Sequence, residues 1–230
     1  MTHSKDTPSP APDDGGAGDK NMTPEQAAEH LRVIRQLMER PVRHTTRSGL
    51  AGIVAGLLAL AGSAATWELL PPKAEWGPPQ MFFGSSPPQS AVWSVALVWL
   101  AVLLIAATVD VLITWRRARE RQETWWRGAQ LQTAMAIVPG FVLAAFFTYL
   151  WSGWNAYELI PFGWMIGYGM ALWTVGMFSI TEVKILGAAF LLAGWLGMFT
   201  LADYPVAALA ATFGGFHLVY GAVVWTRHGG

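Results

Sequence analysis

Six long apolar runs dominate the chain, at about 48–67, 91–115, 132–151, 157–178, 184–202 and 205–226. Each is close to the roughly 20 residues that a helix needs to cross about 30 Å of hydrocarbon. The pattern predicts an all-α membrane protein with six transmembrane helices.

Charges between the runs orient them. Arg32, Arg35, Arg40, Arg43 and Arg47 precede the first run, and Arg116, Arg117, Arg119, Arg121 and Arg127 lie between the second and third. Lys184 opens the fifth and Arg227 follows the sixth, whereas Lys73 stands alone on the other side. Basic residues are retained on the cytoplasmic side, so both termini are expected there. Trp67, Trp115, Trp151, Trp154 and Trp225 fall at predicted helix ends, where an amphipathic ring suits the interface. Trp99, Trp173 and Trp195 lie deeper and read as packing or lipid-facing residues.

The polar segments subdivide the rest. Residues 1–21 are rich in Pro, Gly, Asp and Ser and read as a disordered tail. Residues 22–47 begin with Thr23-Pro24-Glu25-Gln26, a threonine cap, a proline at the first helical position and a glutamine completing a capping box. They predict an amphipathic cytoplasmic helix at the membrane surface, stopped by Pro41, or a basic flank that only anchors the first span. Residues 48–230 form the transmembrane domain. The outer loop from Glu68 to Ser90 carries Pro-Pro pairs at 71, 78 and 87 and predicts a semi-rigid strap. Pro139-Gly140 and Pro161 read as interruptions of the third and fourth spans.

Composition narrows the function. The chain is 53% hydrophobic and 13% charged, outside the range of ordinary soluble proteins. Fifteen basic and fifteen acidic residues cancel, so no global field favours nucleic acid, and the bilayer is the expected partner. No cysteine is present, which excludes disulfides, thiolate catalysis and thiolate metal sites. The sequence holds no phosphate loop, HExxH or paired intramembrane carboxylate. No metal site, cofactor or enzyme activity is therefore expected. One embedded histidine cannot give a haem both axial ligands, which leaves a membrane enzyme or a single-ligand pigment protein, or a site shared between subunits, as the weaker alternative.

An ionisable group inside a bilayer is costly and marks a site to examine. His217 is the histidine that falls within a span, near the midplane of the sixth. Tyr168 lies near the middle of the fourth, Tyr220 about one turn inward of His217, and Asp110 about 10 Å inward of the midplane at 1.5 Å per residue. These four can form one polar cluster. It reads either as a proton-sensitive switch or small-ligand pocket, or as a hydrogen bond that fixes helix register. Asp110 also has the option of reaching towards Arg116 or Arg117. Small-residue faces recur: Gly52 and Gly56 in the first span, Gly163 and Gly167 in the fourth, Gly214 and Gly221 in the sixth. Such faces predict close helix packing, within the chain or in a homo-oligomer or with other membrane subunits.

The segment HLRVIRQLMERPVRHTTRSGLAGIVAGLLALAG, the run PFGWMIGYGMALWTVGMFSITEVKILGAAFLLAGWLGMF and the ending GGFHLVYGAVVWTRHGG together resemble a group of uncharacterised bacterial six-helix integral membrane proteins. Members end in a GGxHxxxG span and a basic His-Gly-Gly tail. The resemblance covers about residues 27–230 and carries no activity over. It implies a bacterial inner-membrane location and draws attention to Gly214, Gly215, His217, Gly221 and the tail from Arg227 to Gly230. The expected role is a non-enzymatic sensor, scaffold or accessory subunit. The alternative is a small transporter or channel with the His217 cluster as gate or proton relay.

Overall fold

The structure, a computed structural model, describes Thr23, His30 and residues 49–72, 86–120 and 129–228. Most of the segment 22–47 expected to form an amphipathic helix, the tail 1–21 and the middle of the proline-rich loop lie outside the described residues. The chain divides into two units, Met1–Pro41 and Val42–Gly230, and the second holds every span.

Among the described residues six helices are long and apolar enough to cross a membrane, and the chain is a multi-pass membrane protein. They are α1 (Gly49–Leu69), α2 (Gln89–Glu120), α3 (Ala129–Gly153), α4 (Ile160–Gly176), α5 (Thr181–Thr200) and a composite sixth span. That last span joins α6 (Pro205–Leu209), a π-helical segment (Ala210–Phe216) and α7 (His217–His228) end to end. The sequence pattern predicts its full length but not its change of winding.

The prolines behave differently from the sequence expectation. α3 continues through Pro139, and Pro161 occupies the first turn of α4, after a 3-10 turn over Tyr157–Leu159. A proline costs one backbone bond inside a helix, but lipid offers no competing water, so the flanking backbone stays helical. At the first turn it costs none. Asn155 makes the tight connection before α4 with a left-handed φ of 56°, a conformation asparagine tolerates, and its Oδ1 accepts from Ser86 at 2.8 Å.

Packing follows the glycines. α1 lies against α2 and the sixth span, and α4 lies between α3 and α5. A Cβ added to Gly221 would stand 2.6 Å from the Ile53 nitrogen and 2.7 Å from the Gly49 oxygen. One added to Gly167 would stand 2.5 Å from the Gly140 oxygen, and the Gly140 position meets the Gly167 oxygen in return. Lipid tails are as apolar as side chains, so helices in a membrane associate through such close backbone contact rather than by escape from water. Gly52 and Gly56 face Gly221, Tyr220 and Leu218, whereas Gly163 faces Phe147 and Trp151. The predicted small-residue faces are thus occupied by helices of the same chain.

The core between the two groups holds Phe162, Met165, Phe190, Trp99 and Leu209, and a second cluster at the other end holds Val175, Ile180, Val183 and Val224. Buried hydroxyls are bonded back to their own helix, Ser63 to the Ala59 oxygen at 2.9 Å and Thr66 to that of Gly62 at 2.8 Å. Thr66 also accepts from the Trp99 indole at 3.0 Å, joining α1 to α2. Trp67, Trp154 and Trp225 are well exposed, as interfacial rings should be. Trp151 is not: it is buried, stacked on Phe147 at 4.7 Å and seated over Gly163. A helix-end position in sequence does not reveal a neighbour that covers the ring.

Gly221→Ala places its methyl against backbone atoms that cannot move aside, and should lower stability by about 1–3 kcal/mol, the usual cost of overpacking. Gly215→Ala meets nothing within 4 Å and should be neutral. Thermal unfolding of the two variants in the same detergent checks the contrast.

Candidate functional site

The site starts from a local feature of the sixth span. Gly214 and Gly215 are weak helix formers, and the π winding ends on the residue after them, Phe216. The His217 backbone N–H turns to the Gly214 oxygen. The Phe213 oxygen instead lies 2.9 Å from Nδ1 of the His217 ring. A carbonyl can only accept, so Nδ1 carries the hydrogen. In the neutral ring Nε2 is then an acceptor, and the Tyr168 hydroxyl, 2.8 Å away on α4, donates to it. One side chain is thereby fixed from both ends, by its own bulge and by a neighbouring helix.

His217 is buried, with Phe190 at 5.4 Å and Tyr168 at 5.5 Å between ring centroids. Phe213 stacks nearly parallel to it at 6.4 Å. Tyr168 also meets Phe213 at 5.3 Å, Phe213 meets Trp99 at 5.8 Å, and Trp99 meets Trp164 at 6.0 Å. Five rings from α2, α4 and the sixth span thus form one continuous aromatic wall.

That wall borders empty space. α2 packs on α1 and α3 on α4, and the two helices face each other across a cavity of about 370 Å³. Small residues form much of the remaining lining: Ala55 and Ala59 on α1, Ala96 and Ala106 on α2, Ala144 and Ala145 on α3. Its polar groups are Thr148, Tyr168, His217 and the indoles of Trp99 and Trp164. The Trp164 N–H is already bonded to Thr148 Oγ1 at 2.8 Å, and that of Trp99 to Thr66. Leu100, Leu103 and Phe141 along the rim are 50%, 42% and 39% exposed, so the opening faces lipid.

A second cavity, about 220 Å³, shares Ala55, Leu103, Ala106, Phe141, Tyr168 and His217 with the first. Asp110 and Tyr220 line it. All four polar residues singled out in the sequence line the second cavity, and His217 and Tyr168 line the first as well. His217 and Tyr168 are bonded directly. At that end of the bundle Arg227 reaches Glu182 at 3.3 Å, on the surface, so the start of α5 and the end of α7 share one side.

Sequence reasoning missed the aromatic wall and the alanine lining. Trp99, Trp164 and Phe213 look like any apolar residues of a span, and only the lack of extensive packing between α2 and α3 makes them a boundary. The pair Gly214-Gly215 is the one legible hint of the bulge. Among the described residues no cluster of three or more His, Asp or Glu could hold a metal ion. The chain matches no protein-family model, no curated protein and no solved structure.

The Tyr168–His217 bond lies partly buried among aromatic rings, so removing one partner strands the other. Tyr168→Phe should cost about 1–3 kcal/mol of stability, and His217→Leu a similar amount. The double variant Tyr168→Phe/His217→Leu should cost less than the two added together, by roughly 0.5–3 kcal/mol. Unfolding of the four proteins in mixed detergent micelles measures that coupling.

Proposed function

We propose that the protein is a non-enzymatic sensor of the bacterial inner membrane, and that its working part is the lipid-facing cavity ending at Tyr168 and His217. A lipid-soluble molecule enters between α2 and α3 and fills the space where those helices fail to meet. The observation that carries this reading is a hydrogen-bonded pair, a buried histidine and a half-buried tyrosine, at the inner end of an apolar cavity. Pockets for small ligands combine an apolar lining with a few placed polar groups in this way. A pair serving only to hold two helices in register would need no cavity beside it.

Occupancy would be reported by movement of α2 and α3. About 6% of each of these spans is buried inside the protein, against 44% for α1 and 50% for α4, so they are the helices least held by the core. α2 ends in the arginine-rich segment from Arg116, and the excess of arginines there and before the first span supports a cytoplasmic position for that segment and for both termini. The glycine faces are taken up within the chain, so partners would dock on the exposed apolar sides of the helices or on the basic cytoplasmic segments.

A second reading, a small transporter using the His217 cluster as gate or proton relay, is favoured by one observation. Asp110 and Tyr220 line a cavity that the bonded pair also lines. The apolar lining of the larger cavity argues against a water-filled path through it.

Two experiments test these statements. The chain has no cysteine, so single cysteines can be introduced without background. Cysteine at Glu120 should react with an impermeant maleimide only in inverted vesicles, and cysteine at Ser90 only in intact cells; the reverse pattern would overturn the orientation. Protein extracted in mild detergent should retain a lipid-soluble compound detectable by mass spectrometry. Ala106→Phe, which fills a position lining both cavities, should lose that compound while keeping its helical circular dichroism. Equal retention by both proteins, or proton-coupled uptake into proteoliposomes that needs His217, would favour the other readings.

A further inference from the structure

The wall of the larger cavity says more about the occupant than that it dissolves in lipid. We infer that the site takes an uncharged aromatic hydrocarbon, a ring compound whose inserted part carries no hydrogen-bonding group. This rests on the sensor reading above and names the ligand class of that same site.

Depth is the first observation. Every residue of the lining lies well inside the ends of its span, as Trp99 does within Gln89–Arg116, Ala144 within Leu131–Gly153 and Phe213 within Pro205–Arg227. The cavity therefore opens onto the hydrocarbon, beyond the reach of water and headgroups. An amphiphile that carried its polar group so far in would give up the hydrogen bonds it makes at the interface, and a hydrocarbon gives up none. A charged compound is worse placed still, because among the described residues no Asp, Glu, Lys or Arg lines the space.

The polar groups of the wall supply the second. Trp164 donates to Thr148, and the Thr148 hydroxyl donates its own hydrogen to the Ala144 oxygen at 2.8 Å. The Trp99 indole is bonded to Thr66, and the two nitrogens of His217 to the Phe213 oxygen and the Tyr168 hydroxyl. The donors of the lining are thus committed within the protein. A ligand oxygen would find none without breaking one of these bonds.

The third observation selects a ring over a chain. From Trp164 through Trp99, Phe213 and Tyr168 to His217, successive ring centroids are 6.0, 5.8, 5.3 and 5.5 Å apart and successive planes are tilted by 66°, 63°, 40° and 38°. Rings set at such angles offer both faces and edges. An aromatic guest meets them with complementary edge and face contacts, which a saturated chain cannot make. Ala96 and Ala106 on α2 and Ala145 on α3 leave room for it. The volume of about 370 Å³ is at the small end of ligand pockets and suits a small fused ring system rather than a phospholipid.

The test uses the full-length chain in dodecyl maltoside, with apparent affinity read from the rise of the thermal unfolding midpoint with probe concentration in the detergent phase. Naphthalene is the aromatic hydrocarbon, decalin has the same carbon skeleton without aromaticity, and 2-naphthol adds a hydroxyl to the ring. Naphthalene is expected to bind about three- to tenfold more tightly than decalin, the worth of one aromatic contact. 2-Naphthol should bind about tenfold more weakly than naphthalene, the cost of a hydroxyl buried without a partner. In Phe213→Leu the advantage of naphthalene over decalin should shrink. Trp164→Leu, which leaves Thr148 bonded to the Ala144 oxygen, tests the same wall should Phe213→Leu fail to fold. In Ala106→Phe every probe should lose its effect, and Ala145→Phe, at an exposed position of the lining, provides the same block should Ala106→Phe fail to fold.

Equal binding of naphthalene and decalin would overturn the aromatic class while leaving the cavity as a site for any lipid chain. 2-Naphthol binding as tightly as naphthalene, or more tightly, would overturn the requirement for a hydrocarbon. A naphthalene advantage undiminished in both Phe213→Leu and Trp164→Leu would overturn the part given to the ring wall. Undiminished binding of all three probes in both cavity-filling variants would overturn the cavity reading itself, and with it the sensor reading.

Discussion

Two backbones in contact set the form of this protein. Where Gly221 meets Gly49 and Ile53, and where Gly140 meets Gly167, nothing larger than hydrogen fits between the helices. In water such contacts would be one aid among many. In lipid, where apolar side chains gain little by leaving the solvent, close approach and internal hydrogen bonds carry the association. α1 is thereby bound to the sixth span and α3 to α4, with α5 closing on the other side of α4. No comparable pairing joins α2 to α3, and the space beside the Tyr168–His217 pair follows from that omission.

The histidine depends on the same economy of polar bonds. A span cannot leave a carbonyl or an imidazole nitrogen unpaired without a cost of a few kcal/mol. The π winding before His217 redirects its backbone N–H to Gly214, and the ring takes the Phe213 oxygen. Local irregularity and side-chain orientation thus solve one another, and the other ring nitrogen is left pointing at α4. π segments often mark functional positions, because the strain they carry is retained only where something is gained from it. Here the gain is an imidazole held in one tautomer on the lining of two cavities.

Much of the architecture is legible in the order of residues alone. The six apolar runs match the six spans to within a few residues at either end, because the length of an apolar helix is dictated by bilayer thickness rather than by tertiary contacts. His217 and Tyr168 are legible as a pair for a related reason. Each is a polar group at the same depth in an apolar run, and two such groups at one depth have few other partners. The glycines announce close packing but not its partner, since a small face fits any other small face. Trp151 shows the limit in the other direction. Its position promises an interfacial ring, and Phe147 and Gly163 bury it instead.

The sequence by itself determined the class of object, the number and length of its spans, and the few polar residues that lipid would force together. It did so because the bilayer acts on each span separately, through length and hydropathy. Only the tertiary structure decided which helix lies against which, that α2 and α3 stand apart, and that Trp99, Trp164 and Phe213 become a wall. Those outcomes depend on contacts between residues far apart in the chain, made by apolar side chains that look alike in sequence and differ only in what faces them.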